Sequence, residues 1–125
     1  MKNRVATFYT SCRVENHDRK RSAEVPKLLV DMGSEYTWIS EKTLESFGII
    51  REKKDFAFIM ANGQKVTRSI GFAILHVAGT LTTDEVVFAE EGDLQLLGAH
   101  SLEGLNVRLD MQQHKLVAAG PILAA

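Results

Sequence analysis

Residues 28–40 read LLVDMGSEYTWIS, and the interpretation of the whole chain starts from this stretch. Three branched apolar residues predict a buried strand that ends at Asp31, and the chain then turns at once through Met32, Gly33 and Ser34. A carboxylate at the end of an apolar strand is costly to bury unless another group pairs with it. The stretch therefore raises the question of which group faces Asp31.

The composition is that of one ordinary globular domain, which we expect to span residues 1–125. Of the 125 residues, 45% are hydrophobic and 25% are charged, and the formal net charge is −1. Because no basic excess is available to neutralise phosphates, we expect no nucleic-acid partner. No apolar run is long enough to span a bilayer, and the N-terminus lacks the apolar core of a signal peptide, so we expect no membrane association.

The cysteine and histidine content points away from disulfides, metals and cofactors. Cys12 is the only cysteine, which excludes an intramolecular disulfide and favours a cytoplasmic protein. Its position within a predicted strand indicates a buried structural thiol. The acidic residues 90–93 lack the ligand spacing of a calcium loop. The histidines, none of which shows metal-ligand spacing, are His17, His76, His100 and His114.

Most of the chain consists of short segments typical of strands. The first predicted strand covers residues 4–15, and the second runs to Asp31, with Pro26 marking an edge or a bulge because it cannot donate a ladder hydrogen bond. Asn62 and Gly63 predict a tight hairpin turn in which both residues tolerate positive φ. The return strand is expected to carry one apolar face made of Ile70, Phe72 and Ile74.

Later segments extend the β pattern and add two short helices. Further strands are predicted at residues 81–88, 94–98, 107–111 and 115–118. Ser40 is a suitable N-cap for a helix that Gly48 would end in the left-handed conformation, and a second helix of one or two turns follows Gly98. The pattern predicts a mainly β domain built as a small barrel or sandwich.

Three motifs, taken in order, resemble those of the retroviral-type aspartic proteases. Asp-x-Gly-Ser at residues 31–34, after an apolar strand, is similar to their active-site loop, Asp-Thr/Ser-Gly-Ala/Ser. Residues 56–77 match the position of their flap hairpin, and Leu-Leu-Gly at residues 96–98, before a short helix, matches their second apolar element. The resemblance covers residues 5–118 and is closest to small bacterial single-domain members.

The resemblance implies a small closed retropepsin-like acid-protease barrel with a flap hairpin and one or two short helices. Because each chain supplies one catalytic aspartate and the family's chemistry needs two, the resemblance implies a homodimer in which two Asp31 carboxyls face each other. Two carboxyls so placed share a proton, and the charged one activates a water while the protonated one donates to the peptide carbonyl. The implied activity is an aspartic endopeptidase that cleaves extended peptides without a metal or cofactor.

The resemblance also implies a substrate site. Met32, Gly33 and Ser34 would belong to the active-site loop, and the flap would close over an extended peptide as a lid. The implied substrate-binding residues are Gly33, Ser34, Glu35, Ala61, Asn62 and Gly63. Trp38, Ile49 and Ile70 are candidates for pocket walls, although each of them would also suit the core.

Met32 departs from the family pattern, which has Thr or Ser at this position. In the family that hydroxyl bonds to the loop of the other subunit, and a thioether cannot replace the bond. Its loss costs on the order of 1–3 kcal/mol. One alternative is therefore a catalytically impaired dimer that still binds peptide.

A third interpretation is a monomeric β-barrel interaction domain in which Asp31 is only a turn residue. The apolar C-terminal residues Ile122 and Leu123 bear on this choice. They could extend a dimer sheet, pack on the core of their own chain or be disordered.

Overall fold

The computed structural model describes residues 7–124, so the beginning of the predicted first strand, at residues 4–6, lies outside it. The described strands are β1 (Tyr9–Glu15), β2 (Ser22–Asp31), β3 (Thr37–Ser40), β4 (Lys53–Ile59), β5 (Lys65–Val77), β6 (Thr80–Ala89), β7 (Leu96–Gly98), β8 (Val107–Asp110) and β9 (Lys115–Ala118). The helices are α1 (Glu41–Ser46) and α2 (Ala99–Leu105). The predicted mainly β class with two short helices is confirmed. No helix in the described part is long and apolar enough to cross a membrane.

Six of the strands close into a barrel, as the sequence predicted. Their order is β1-β2-β7-β3-β6-β5, and the pairing of β1 with β5 completes the ring. Strand β4 pairs with β5 at the end of the sheet order and so lies outside the ring. Strands β8 and β9 form a separate antiparallel pair. Pro26 lies at the register shift between β1 and β2, so the predicted bulge is confirmed.

Strand β7 determines where Asp31 lies. It runs parallel to β2, which places Asp31 opposite Gly98, and it pairs antiparallel with β3 through Leu96 and Trp38. The chain that turns from β2 into β3 therefore passes around the end of β7. A Cβ on Gly98 would overlap the carbonyl oxygen of Tyr36, so only glycine permits this close crossing.

Apolar side chains form two clusters. The larger one fills the barrel, and its largest fully buried members include Phe88, Leu28, Ile39, Leu75 and Leu97. The smaller cluster joins the barrel wall to the β4–β5 hairpin. Its buried members are Trp38, Ile70, Val87, Ala89 and Leu96, with Phe56, Phe58 and Met60 packed against them.

The tip of the β4–β5 hairpin differs from the prediction. The Met60 N–H donates to Gln64 O at 2.8 Å and the Gly63 N–H donates to Met60 O at 2.8 Å, so three residues connect the strands instead of two. Of the two turn residues, only Gly63 has a positive φ, at 86°. Asn62 instead accepts the Gln64 N–H with its side chain. The predicted hairpin is confirmed, whereas the tight two-residue turn is wrong, because one glycine with positive φ at the end of the longer loop suffices.

The predicted flap of residues 56–77 is also too long. From Ile70 onward, β5 pairs with β6 and belongs to the barrel, so the projecting part is residues 56–68, called here the hairpin arm. The predicted apolar face is wrong at Phe72, which is 40% exposed while Ile70 and Ile74 are buried. The opposite face of β5 packs into the barrel core instead, through Ala73, Leu75 and Val77.

Helix α1 begins after Ser40 and is followed by Gly48, whose φ is 87°, in agreement with the sequence. Ser40 occupies the predicted N-cap position, but its side chain makes no capping hydrogen bond. Its N–H instead donates to Gln95 Oε1 at 2.9 Å, which ties the end of β3 to the segment before β7. Strand β3 itself was not predicted.

We expect Gly98→Ala to destabilise the fold by about 3 kcal/mol, the upper end of typical overpacking costs. The added methyl group would collide with the Tyr36 carbonyl and push the β2–β3 connection away from β7. Urea unfolding followed by circular dichroism measures the change. A variant as stable as the wild type would contradict the close approach of Gly98 to the Tyr36 carbonyl.

Candidate active site

Asp31 is partly exposed and lies in a tight turn at the end of β2. Its Oδ1 accepts a hydrogen bond from the Gly33 N–H at 2.9 Å, and the Ser34 N–H lies 3.3 Å from its carbonyl oxygen. A Cβ on Gly33 would approach Oδ1 to 3.2 Å, so glycine leaves the carboxylate room. The turn therefore orients the Asp31 side chain through bonds within the same chain.

A groove of about 650 Å³ lies beside Asp31. Three segments line it: the turn at residues 31–36, the hairpin arm at residues 58–61 and the loop at residues 92–94. Trp38 and Leu96 complete the lining, which is mostly apolar and aromatic. A groove of this size and chemistry, with a few polar groups at one place, suits an organic ligand or part of an extended chain.

Tyr36 and Trp38 form the floor of this groove, and the hairpin arm packs on them through Phe58. The Phe58 ring centroid lies 5.4 Å from that of Tyr36, in an edge-on arrangement, and 5.2 Å from that of Trp38. Phe56 stands next to it, 5.1 Å away. Trp38 is consequently only 6% exposed. The arm thus covers part of the groove floor with aromatic contacts.

An ion pair joins the arm to the opposite wall. Arg68 Nε donates to Asp93 Oδ2 at 2.7 Å and Arg68 Nη2 donates to Asp93 Oδ1 at 2.9 Å. Both side chains are largely buried, with 14% and 11% exposed. The hydrogen bonds from Arg68 hold the pKa of Asp93 below its usual range, and the same bonds raise the pKa of Arg68.

A buried chain of hydrogen bonds runs from Gly98 to Asp84 and fixes Thr37, the residue between Tyr36 and Trp38 of the floor. The Gly98 N–H donates to Thr37 Oγ1 at 3.0 Å, and the Thr37 hydroxyl donates to Ser101 Oγ, because the Ser101 proton is used on the carboxylate of Asp84. Ser101 Oγ in turn donates to Asp84 Oδ2 at 2.6 Å. Asp84 is the final acceptor and sets the direction of every proton in the chain.

Helix α2 adds a second support. The N–H groups of Ala99 and His100 donate to the carbonyl oxygens of Ser34 and Glu35, at 2.7 and 3.2 Å. His100 Nδ1 donates to Asp84 Oδ1 at 2.8 Å, and this bond to a carboxylate raises the pKa of His100. The turn after Asp31 is therefore fixed to α2 by backbone bonds and, through Asp84, by side chains.

The structure distributes the predicted site residues unevenly around the groove. Its lining includes Asp31, Gly33, Ser34, Glu35 and Ala61 from the predicted set. Met32, at 66% exposed, stands beside Asp31 but outside the lining. Asn62 and Gly63 lie at the exposed tip of the arm and are also outside it.

Two finer expectations need correction, and one of the alternatives left open for the C-terminus is excluded. Of the candidate pocket walls, Trp38 lines the groove, whereas Ile49 and Ile70 are buried among core residues and do not. The carbonyl oxygens of Ser34 and Glu35, two of the implied substrate-binding residues, already accept hydrogen bonds from α2. The C-terminal residues Ile122 and Leu123 are 70% and 90% exposed, so they do not pack on the core of their own chain.

The sequence analysis predicted neither the packing of Phe58 over Tyr36 and Trp38 nor the Arg68–Asp93 ion pair. Phe56 and Phe58 alternate along β4 and could have indicated an apolar face, but nothing in the sequence links Arg68 to Asp93. Cys12 is buried, as predicted, and burial raises the pKa of its thiol to about 12. Among residues 7–124, no group of three or more His, Cys, Asp or Glu side chains is arranged to hold a metal ion.

Neither the family models nor the curated proteins compared with this sequence give a match. The likeness to aspartic proteases thus rests on the motifs at residues 31–34, 56–77 and 96–98.

We expect Thr37→Val to lower the free energy of unfolding by about 1–3 kcal/mol, because it leaves the buried Gly98 N–H without an acceptor. Urea unfolding measures this loss. Thr67→Val is a matched control, since Thr67 is exposed on β5 and lies on the arm. Equal effects of the two substitutions would show that the buried chain of hydrogen bonds does not support the floor.

Proposed function

We propose that this protein is a retropepsin-like aspartic endopeptidase that acts as a homodimer, with one Asp31 from each subunit in the active site. The observation that carries the proposal is the placement of Asp31 beside a covered apolar groove. One carboxylate oxygen is held by the Gly33 N–H, and within residues 7–124 the other oxygen, Oδ2, receives no hydrogen bond. A carboxylate oriented in this way is available to a water or to a second carboxyl group.

The second carboxyl group would come from an identical chain. Each chain contains one Asp-x-Gly-Ser turn, and a two-fold axis near Asp31 would place this residue against its own copy. Exposed apolar side chains beside the turn and groove favour an interface there, since a partner would cover them. These are Met32, Ile59 and Leu94, which are 66%, 76% and 67% exposed.

The chemistry of such a pair follows from the repulsion between two nearby carboxylates. Both cannot easily be ionised, so the pair holds one proton over a range of mildly acidic pH. The ionised Asp31 removes a proton from a water, and the water attacks the peptide carbonyl while the protonated Asp31 donates to the carbonyl oxygen. The tetrahedral intermediate then collapses with cleavage of the amide bond.

An extended peptide is the substrate that the groove favours. Strand β4 ends the sheet order, so its outer edge is not paired in the described sheet, and its last residues lead into the groove wall. An extended chain that lies along such an edge gains backbone hydrogen bonds, and its side chains enter the apolar groove. We also propose a cytoplasmic location, because the chain has a single cysteine.

We expect Asp31→Asn to abolish cleavage of an unstructured peptide while the fold and the dimer persist. An amide oxygen can still accept the Gly33 N–H, so the turn is retained, but it cannot take up the proton of the attacking water. The wild type should cleave best at mildly acidic pH, where the pair holds one proton. Mass spectrometry of the peptide products measures cleavage, and light scattering measures the dimer.

Glu24→Gln is the matched control, because Glu24 is exposed on β2, the strand that carries Asp31, and does not line the groove. It should cleave at the wild-type rate. Turnover by the Asp31→Asn variant at the rate of this control would exclude the aspartate mechanism, and a strictly monomeric wild type would exclude the two-chain site.

The second candidate function is a dimeric peptide-binding module without activity, and Met32 favours it. In the family pattern a hydroxyl at this position joins the two loops, and the thioether of Met32 cannot make that bond. Met32→Thr should therefore raise the cleavage rate about a hundredfold if the missing bond misplaces the pair by ~1 Å. Peptide affinity, measured by fluorescence anisotropy with the Asp31→Asn form, should change little. An unchanged rate in an active enzyme would show that Met32 is harmless.

A further inference from the structure

We propose that the Arg68–Asp93 ion pair is a latch that holds the hairpin arm down over the groove and controls access to it. This inference goes beyond the proposed function, because it concerns the entry of any ligand and does not depend on cleavage.

Apart from the continuation of β4 and β5 into its base, the arm is docked on the barrel body through side chains. Residues 56–68 pair with each other across the hairpin, and the pairing of β5 with β6 begins only at Ile70. In the described part of the chain, no backbone hydrogen bond links the arm to another element. Its docking therefore rests on the apolar contacts of Phe56, Phe58 and Met60 and on the ion pair of Arg68.

A bulge separates the arm from the barrel. The register of β4 and β5 shifts between Lys53 and Phe56, so that two residues of β4 lie opposite one residue of β5. Asp55, within this bulge, has a φ of 55°, which is uncommon for a residue other than glycine. A bulge weakens the ladder and bends the strand locally, so it provides a place at which the arm can pivot.

The ion pair has the geometry expected of a specific latch. It is bidentate, with donor–acceptor distances of 2.7 and 2.9 Å, and Arg68 also lies 3.6 Å from Glu90. Its partner Asp93 accepts the Glu90 N–H at 2.8 Å, so the carboxylate is itself anchored. Asp93 lines the groove, and Arg68 lies opposite Phe56 at the base of the arm, so the pair joins the base of the arm to the groove wall at residues 92–94. Because both side chains are largely buried, loss of one partner removes two charge-assisted hydrogen bonds that water replaces poorly.

The latch remains closed at mildly acidic pH. Asp93 has a lowered pKa because Arg68 donates to its side chain and the Glu90 N–H donates as well. The other charged groups that act on Arg68 are Glu90 and Glu41, and both favour its charged form. The ionised Asp93 carboxylate stabilises the docked arm fully at pH values above the usual pKa of aspartate. This stabilisation is lost as the pH falls through the lowered pKa of Asp93. Opening by acid should therefore begin only below the usual pKa range of aspartate.

Trp38 provides a direct measurement of arm position. It is the only tryptophan in the chain, and Phe58 of the arm packs against it. Lifting the arm would expose the indole to a soluble quencher. We therefore expect Arg68→Gln and the isosteric Asp93→Asn each to raise the acrylamide quenching constant of Trp38 fluorescence about twofold or more, by populating an open arm.

The double variant should show the same quenching as either single variant, because both remove one interaction. Lys53→Gln is the matched control. It removes the Lys53–Glu85 ion pair at the base of the same hairpin, which does not line the groove, and should leave quenching at the wild-type level. Circular dichroism identifies any variant that is unfolded. If Arg68→Gln or the double variant is unfolded, the quenching of the isosteric Asp93→Asn variant decides the outcome.

Unchanged quenching in a folded Asp93→Asn variant would overturn the latch and show that the aromatic contacts hold the arm without it. Equal increases in Lys53→Gln and Asp93→Asn would also overturn it, because they would indicate general loosening of the hairpin. In the wild type, quenching should stay constant from neutral pH to about pH 5 and rise only in stronger acid. No measurement in this experiment depends on cleavage, so its result is independent of the proposed protease activity.

Discussion

The passage of β7 between β2 and β3 is the constraint on which the rest of the structure depends. Gly98 lies opposite Asp31 in the β2–β7 ladder, contacts the Tyr36 carbonyl and donates its N–H to Thr37. One residue without a side chain thus holds both ends of the turn that carries the candidate catalytic group. Any atom added there would separate the turn from β7, and Asp31 and Trp38 would both move.

The floor and the roof of the groove are held by different kinds of interaction. The floor is fixed by sheet pairing, by backbone bonds from α2 and by the buried chain that ends at Asp84. The roof, residues 56–68, is held by aromatic contacts and one ion pair. Interactions of the first kind persist until the barrel unfolds, whereas those of the second kind can break locally. The architecture therefore combines a firmly paired floor, beside which the candidate catalytic group lies, with a cover held by interactions of the kind that can break locally.

Sequence reasoning recovered the features that are local in the chain. The turn after Asp31, the bulge at Pro26 and the stop at Gly48 each depend on a few adjacent residues. Strand β3 was missed because its first three residues are all buried, so it shows no alternation of apolar and polar residues. The wall at residues 92–94 was missed because it reaches the groove from a segment far from both Asp31 and the arm in sequence. Pairings of that kind depend on the closed barrel, which no local pattern specifies.

The same distinction bears on Met32. Within one chain, the orientation of Asp31 rests on the Gly33 N–H and on the pairing with β7, and the exposed side chain of Met32 contributes to neither. Replacing a hydroxyl at this position therefore leaves each half of the proposed site correctly shaped. What it removes is a bond between the halves, so the effect of Met32 falls on the alignment of the two subunits. An apolar side chain at a two-fold axis can still pack against its copy, and in that case packing would replace a directional bond as the means of bringing the two carboxyls together.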